Sequence, residues 1–472
     1  MDLGFMIGFF LKNRVNRHVF SYLARKEPGR RSFLEDLLSA YTRDHPVSWT
    51  RRINLLPFHF FFEVGRLVFG QTRKQAREKL SDPIFQHGIA LTMRSIGKYG
   101  LLRPQIFTAP PVVVWNFTNR CNLKCKHCYQ DAGRKLLGEL TLEQRLDVVE
   151  QLAEQDVFSI AYSGGEPLMD KDLWAVVERG AKHKLYQSIA TNGTLIDPRV
   201  AEHIADCGVN YVEISLDSTD PQVHDTFRGI PGLWERTVTG IKNAVTQEGF
   251  QVGIAATITQ INFPELEELI QFTKDIGADK FYAFNFIPAG RGKAIMDMDL
   301  SPQQREEMLN ILYDHFQKGD MSCMTTAPQY ARVCMMQGNA DRIPTSHYSE
   351  ARGRKAKMLA EFIGGCGVGR AYCSIQPDGE VTPCVFMPIP VGNLREHKFA
   401  DIWANSPILK QLRTREDLDP GCGICQYRSS CGGCRARAYG YFGNFKAADP
   451  GCINNKDLYD QLRNETLQKV AQ

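Results

Sequence analysis

Three cysteines on one short stretch carry the first chemistry that can be read from this chain: Cys121-Asn-Leu-Lys-Cys125-Lys-His-Cys128. The C-x3-C-x2-C array follows directly after the β-branched run Val112 to Phe117. Three thiolates on one tight loop hold three irons of a cubane and leave the fourth iron open to a small molecule. A structural zinc site takes four ligands, mostly from C-x2-4-C pairs, and a fully protein-held [4Fe–4S] cluster takes four cysteines. Three cysteines therefore point to a cluster with one reactive position.

The chain has fourteen cysteines, and eight more lie near its C-terminus: Cys366, Cys373, Cys384, Cys422, Cys425, Cys431, Cys434 and Cys452. Eight thiolates suffice for two further cubanes. The pairs Cys422-x2-Cys425 and Cys431-x2-Cys434 would also suit a zinc ribbon, which stays open as a structural alternative. Cys207, Cys323 and Cys334 are left over and read as small buried apolar residues. Met1 leads into a mixed apolar and basic stretch with no small-residue cleavage site, so export is not expected. Reduced cysteines in a cytoplasmic setting point to metal or catalysis rather than to disulfides.

The elements that must position these residues show in the periodicity. Val112 to Phe117, Ser159 to Ser163, Gln187 to Thr191, Tyr211 to Leu216, Gly253 to Ile258 and Lys280 to Ile287 read as strands. Helices fit between them: Thr141 to Gln155, with Thr141 as N-cap, then Pro198 to Asp206 and Leu233 to Gln247. Such alternation predicts parallel βαβ units and an α/β fold, as a partial (β/α)6 barrel or a doubly wound sheet. Residues 301–365 read as a mainly helical linker, 366–455 as a cysteine-rich domain, and 456–472 as a tail. No repeat of 20–50 residues is visible.

The residues at the strand ends resemble the radical S-adenosylmethionine (SAM) superfamily. Cys121, Cys125 and Cys128 match its signature. Ser163-Gly164-Gly165-Glu166-Pro167 looks like its SAM amino-group motif, and the Glu166 carboxylate suits an ammonium. Asn192 ends the third strand. Ser215 and Asp217 end the fourth, where family members hold the ribose and amino-acid portion. Arg228 looks like the arginine that meets the SAM carboxylate, for which a guanidinium fork is well shaped. His127 occupies the slot expected near adenine. Ligands of such barrels bind at the C-terminal ends of the strands. The resemblance covers roughly residues 111–290 and implies a partial TIM-type barrel. It also implies a SAM-binding [4Fe–4S] cluster, an electron donor such as ferredoxin or flavodoxin, and a 5′-deoxyadenosyl radical that abstracts hydrogen from carbon.

The C-terminal spacing is similar to the SPASM domain of the same superfamily, with two residues rather than three between Cys431 and Cys434. The family topology implies auxiliary cluster I on Cys366, Cys373, Cys384 and Cys434. It implies auxiliary cluster II on Cys422, Cys425, Cys431 and Cys452. Clusters near a substrate radical can accept its electron, so an oxidised product is expected. Gly367 to Tyr372, Val391 to Leu394, Cys434 to Ala438 and Phe286 to Lys293 look similar to the haem-synthase branch, whose members oxidatively decarboxylate tetrapyrrole propionates. Arg291 and Lys293 would suit an anionic group.

Residues 1–110 depart from that branch. This basic, amphipathic and mainly helical extension holds 18 Lys and Arg against 8 Asp and Glu, although the whole chain is only +4. Its apolar bursts, Phe5 to Leu11, Ile53 to Phe69 and Ile89 to Leu102, are too interrupted to cross a membrane. With the charge, they predict peripheral contact with the inner face of a membrane and a bulky hydrophobic, lipid-type substrate. A tetrapyrrole and a ribosomal peptide are the alternative substrates. A non-catalytic electron carrier would have no need of Gly164, Gly165, Glu166 or Arg228. The basic arm comes with no recognisable nucleic-acid motif.

Overall fold

The computed structural model describes residues 33–42, 71–337, 342–346, 349–352 and 356–462, with a few isolated positions between 18 and 67. The predicted strands form with small shifts of their ends: β1 (Val112–Thr118), β2 (Ser159–Gly164), β3 (Tyr186–Thr191), β4 (Tyr211–Ser215), β5 (Gln251–Ile258) and β6 (Lys280–Asn285). All are parallel to their neighbours, as right-handed βαβ connections require. Helices Leu142–Glu154, Pro198–Asp206 and Leu233–Val245 lie where the periodicity placed them. Thr141 caps the first as expected, and its reciprocal partner is Gln144.

Alternation along the strands sorts the side chains into two layers. Val113, Trp115, Phe117, Ile160, Tyr162, Ile189, Val212, Ile214, Ile254 and Phe281 form the core against the helices. Asn116, Ser163, Ser188, Glu213, Ser215 and Thr257 have the opposite parity and form the inner face. The inner face is thus polar towards the C-terminal strand ends. Towards the other end it is closed by Tyr186, Tyr211, Tyr282, Phe316 and Met324.

The region after β6 is less purely helical than its sequence implied. Helix Pro302–Lys318 leads to a seventh parallel strand, β7 (Ser322–Thr325), beside β6. Helix Gln329–Met336, a hairpin of β8 (Arg342–Ser346) and β9 (Ser349–Arg352), and helix Ala356–Ile363 follow. The cysteine-rich region then adds its first strand to the barrel sheet. In it, β10 (Tyr372–Ile375) pairs in parallel with β1, followed by antiparallel β11 (Glu380–Thr382) and β12 (Gly392–Asn393). The sheet runs β12-β11-β10-β1-β2-β3-β4-β5-β6-β7 and stays open between its ends.

The described part of the extension is helical: Phe33–Thr42, Arg73–Ser81 and Pro83–Tyr99. Leu34, Leu37, Leu38, Tyr41, Leu80 and Ala90 share a small core of their own. The third apolar burst is used internally. Leu91 joins the main core, and Arg94 pairs with Asp156 at 2.5 Å across to the barrel. Of the other two bursts, Phe5 to Leu11 lies outside the described residues, as does all of Ile53 to Phe69 but Glu63, Arg66 and Leu67. Among the described residues no helix is long and apolar enough to cross a membrane.

Candidate functional site

The cysteine loop leaves β1 and is held from four sides. Cys121 N–H donates to the Gly133 carbonyl at 3.1 Å, and Lys126 N–H to the Phe227 carbonyl at 3.0 Å. Asn122 accepts from Asn192 Nδ2 at 2.8 Å, and Arg291 Nε donates to the Cys125 carbonyl at 2.9 Å. The three cysteines share one small apolar cluster with Leu123, Ile230 and Leu233. Backbone N–H groups of Leu123 and Ala132 point at Cys121 Sγ and Cys128 Sγ, each at 3.4 Å. Such hydrogen bonds stabilise sulfur that carries negative charge. Burial pushes the Cys121 thiol up to about 12, while the nearby Arg228 guanidinium opposes the rise at Cys125. Uncoordinated, Cys121 stays protonated near neutral pH, so its thiolate requires a cationic partner.

Beside the loop, the Gly164–Gly165 turn packs on backbone. Gly165 N–H reaches the Thr118 carbonyl at 2.7 Å, and a Cβ on Gly165 would sit 2.0 Å from the Arg120 oxygen. No other residue fits so close an approach. Asp217 and Arg228 form a buried ion pair, Nε to Oδ2 at 2.6 Å, and Asp217 Oδ1 accepts from Thr257 N–H at 2.8 Å. Among the described residues, the terminal nitrogens of Arg228 make no hydrogen bond, so its fork can meet an anion. His127 stacks on Phe227 with ring centroids 4.3 Å apart, and its buried Nδ1 has no hydrogen-bond partner. Burial pushes His127 down to about 4, against the pull of Asp217, so the ring is neutral near neutral pH.

Two of these side chains are already engaged within the protein. The Glu166 carboxylate accepts from Thr191 Oγ1 at 2.7 Å, Asn192 N–H at 2.8 Å and Leu168 N–H at 3.2 Å. It is 1% exposed and braces β2 against the end of β3. Arg291 likewise binds Asp131 at 2.9 Å and two loop carbonyls, which makes it a tie for the cysteine loop. Lys293 remains exposed.

Among the C-terminal cysteines, Cys366, Cys384 and Cys434 meet in one apolar cluster beside the barrel mouth. Cys422, Cys431 and Cys452 lie close enough to influence one another electrostatically. Cys425 is half-buried beside exposed Ile424. Cys373 stands apart, contrary to its expected place in auxiliary cluster I. Alternation along β10 sends it into the main core, fully buried, while Tyr372 faces Cys384. Cys207, Cys323 and Cys334 are buried core residues, as expected.

Three arginines surround these cysteines: Arg370, Arg415 and Arg435. All are buried, and among the described residues none is in an ion pair. Arg415 donates to the carbonyls of Arg428, Ser429 and Cys366, and Arg370 to those of Gln105 and Cys366. Burial pushes Arg370 down to about 9. Buried cations without carboxylates require another negative charge nearby, and thiolate-bound clusters fit that requirement. Among the described residues no three His, Cys, Asp or Glu side chains converge on a single metal ion. The thiols of a cubane bind separate irons and stand further apart.

The Radical SAM superfamily model matches residues 115–273, and the iron–sulfur cluster-binding SPASM model matches residues 366–435. An AdoMet-dependent heme synthase of Methanosarcina barkeri is 33% identical over 73% of this chain and 97% of its own length. The chain belongs to the radical SAM superfamily. A pre-heme d1 synthase of Dinoroseobacter shibae is 32% identical over 73% of this chain and 86% of its own length. A mycofactocin maturase of Mycobacterium tuberculosis is 30% identical over 73% and 83%. Streptococcus suis SuiB bound to S-adenosylmethionine has the same fold, with a TM-score of 0.63 at 17% identity over 90% of this chain and 93% of its own. This radical SAM enzyme therefore works with SAM and [4Fe–4S] clusters.

The enzyme's inner wall also contains residues that motif reading passed over. Tyr129 OH donates to Asn116 Oδ1 at 3.0 Å and lies 2.9 Å from Ser163 Oγ. Asn116 donates to Gln130 at 2.7 Å and to Gln376 at 3.1 Å, and Phe386 packs edge-on to Tyr129 at 4.9 Å. Asn116 carries the inner-face parity, which is the signal that could have found it. Gln376 and Phe386 arrive only because β10 joins the barrel.

Cys373→Ala is expected to leave iron content unchanged in anaerobically reconstituted enzyme, with a stability loss of about 1 kcal/mol from the emptied core space. Loss of iron from this variant would return Cys373 to the ligand set.

Proposed function

We propose that this enzyme oxidatively decarboxylates a propionate side chain of a tetrapyrrole. The observation that carries the reading is its likeness to a heme synthase along 97% of that relative's length. The third apolar burst, part of the case for a lipid substrate, is used for packing on the barrel. In this reading Cys121, Cys125 and Cys128 hold the SAM-binding cluster. His127, Ser163, Gly164, Gly165, Asn192, Ser215, Asp217 and Arg228 line the SAM site, with Arg228 on its carboxylate and Glu166 bracing the wall. When bound, the cluster and SAM supply a 5′-deoxyadenosyl radical that removes a hydrogen atom. The substrate side chain R–CH2–CH2–COO⁻ then gives R–CH=CH2 and CO2, losing one hydrogen atom and one electron. The electron needs an acceptor, and Cys366, Cys384, Cys434, Cys422, Cys425, Cys431 and Cys452 can hold one beside the barrel mouth. An electron donor such as ferredoxin or flavodoxin supplies the reducing electron.

The test is anaerobic turnover of reconstituted enzyme with SAM, reductant and propionate-bearing tetrapyrroles, followed by mass spectrometry. Vinyl product with matching CO2 and 5′-deoxyadenosine is expected. SAM cleavage that leaves every tetrapyrrole intact but consumes an added lipid or peptide would replace this reading.

A further inference from the structure

Strand β4 places a carboxyl group on the inner face of the barrel with no cation in hydrogen-bond contact among the described residues. Glu213 shares the inner-face parity of Ser215, and of Asp217 just beyond the strand. Its cross-strand neighbours are Ala190 on β3 and Gly253 on β5, so the side chains on either side are small. The space over Gly253 is filled by the Tyr211 hydroxyl, 1.8 Å from where a Cβ would lie. Lys280 occupies the same row one strand further, in register with Gly253. Two strand spacings put it roughly 10 Å from Glu213. Among the described residues, the Glu213 carboxyl accepts no hydrogen bond and enters no ion pair, yet it is not fully covered and lines the lumen.

The other titratable groups facing this lumen are Tyr129 from the cysteine loop, Tyr186 from β3, Tyr211 from β4, and Lys280 and Tyr282 from β6. Four are hydroxyl donors and one is a cation. Tyr129 is under the electrostatic influence of Cys128, Cys384 and Glu213 together. It therefore links Glu213 to both the cysteine loop and the barrel mouth. Tyr186, Tyr211 and Tyr282 floor this lumen, Tyr129 lies nearer its mouth, and Asp217, the other carboxyl group of this parity, is held by Arg228.

We propose that Glu213 is a specificity residue of the substrate site, its carboxylic acid donating a hydrogen bond to one carboxylate of a polycarboxylate tetrapyrrole. The inference rests on the tetrapyrrole reading above and names the contact that reading lacks. Two carboxyl groups in contact share one proton, because both cannot ionise side by side. Burial pushes Glu213 up to about 8, with Lys280 pulling the other way, so the acid form is already present near neutral pH. A bound carboxylate raises it further. Affinity is then constant below the free-enzyme value and falls by up to about tenfold per pH unit above it, because binding must take up a proton there.

The experiment is anaerobic titration of SAM-loaded holoenzyme with a propionate-bearing tetrapyrrole and with its methyl esters, read by quenching of protein fluorescence across about pH 6.5 to 9.5. Wild type is expected to weaken above pH 8, to prefer the free acid to the ester, and to do both without any mutation. Glu213→Gln keeps a donor and should bind with a flat profile, and Glu213→Ala should bind about tenfold or more weakly at neutral pH. A wild-type profile flat through pH 9, or one that Glu213→Gln leaves unchanged, overturns the role of Glu213 and leaves the tetrapyrrole reading intact. Failure of wild type to bind any tetrapyrrole at any pH overturns both.

Discussion

Replacing Cys121, Cys125 and Cys128 together with alanine removes about four of about twelve irons per chain and abolishes SAM cleavage. The three thiols lie on one loop, two receive backbone N–H groups, and the loop is tied to β3, to helix Pro221–Arg228 and to the segment around Arg291. Those ties do not pass through sulfur, so the variant is expected to stay folded and keep its C-terminal clusters. Iron and sulfide counting before and after the change, with 5′-deoxyadenosine release alongside, gives the answer. About four irons in wild type, together with bound zinc, would mean that the C-terminal cysteines are structural, and their part as electron acceptor would be withdrawn.

Asp217→Ala is expected to destabilise the enzyme by about 3–5 kcal/mol, since it leaves the buried Arg228 guanidinium without its counter-charge. Asp217 also takes the Thr257 N–H, so a backbone donor is orphaned in the same step. SAM affinity falls as well, because the pair sets the direction of the Arg228 fork. A double variant, Asp217→Leu with Arg228→Met, separates the effects. It removes both charges and is expected to recover most of the stability while SAM binding stays lost. Denaturant unfolding of the apoprotein and equilibrium SAM binding of the holoenzyme measure the two quantities. A single variant as stable as wild type would show that Arg228 has another anion beside it.

The partners of Glu166 and Arg291 have a common physical origin. Glu166 sits in a glycine turn that suits an ammonium, yet Thr191 and Asn192 close over its carboxylate because β3 ends beside it. Arg291 lies in a basic loop, yet Asp131 and two carbonyls on the cysteine loop take its donors. In both cases the motif named the place in the fold, and the tertiary structure supplied the neighbours. The nearest donor or acceptor belongs to a segment far away in sequence, and proximity outweighs chemical type.

Sequence alone determined what local spacing and periodicity can encode. A C-x3-C-x2-C loop confines three thiols to one turn however the rest folds. Alternation in Val113, Trp115 and Phe117 or in Val212 and Ile214 states that one face of each strand is buried. The capping pattern at Thr141 starts its helix where it stands. Tertiary structure alone decided which cysteines meet, because Cys373 and Cys384 differ in the face of the strand region they occupy rather than in residue type. It decided that β10 closes beside β1, bringing Gln376 and Phe386 to the lumen from about 250 residues away. It also decided that Glu213 has only Ala190 and Gly253 beside it, since the register between parallel strands is fixed by the whole packed sheet and not by any one strand.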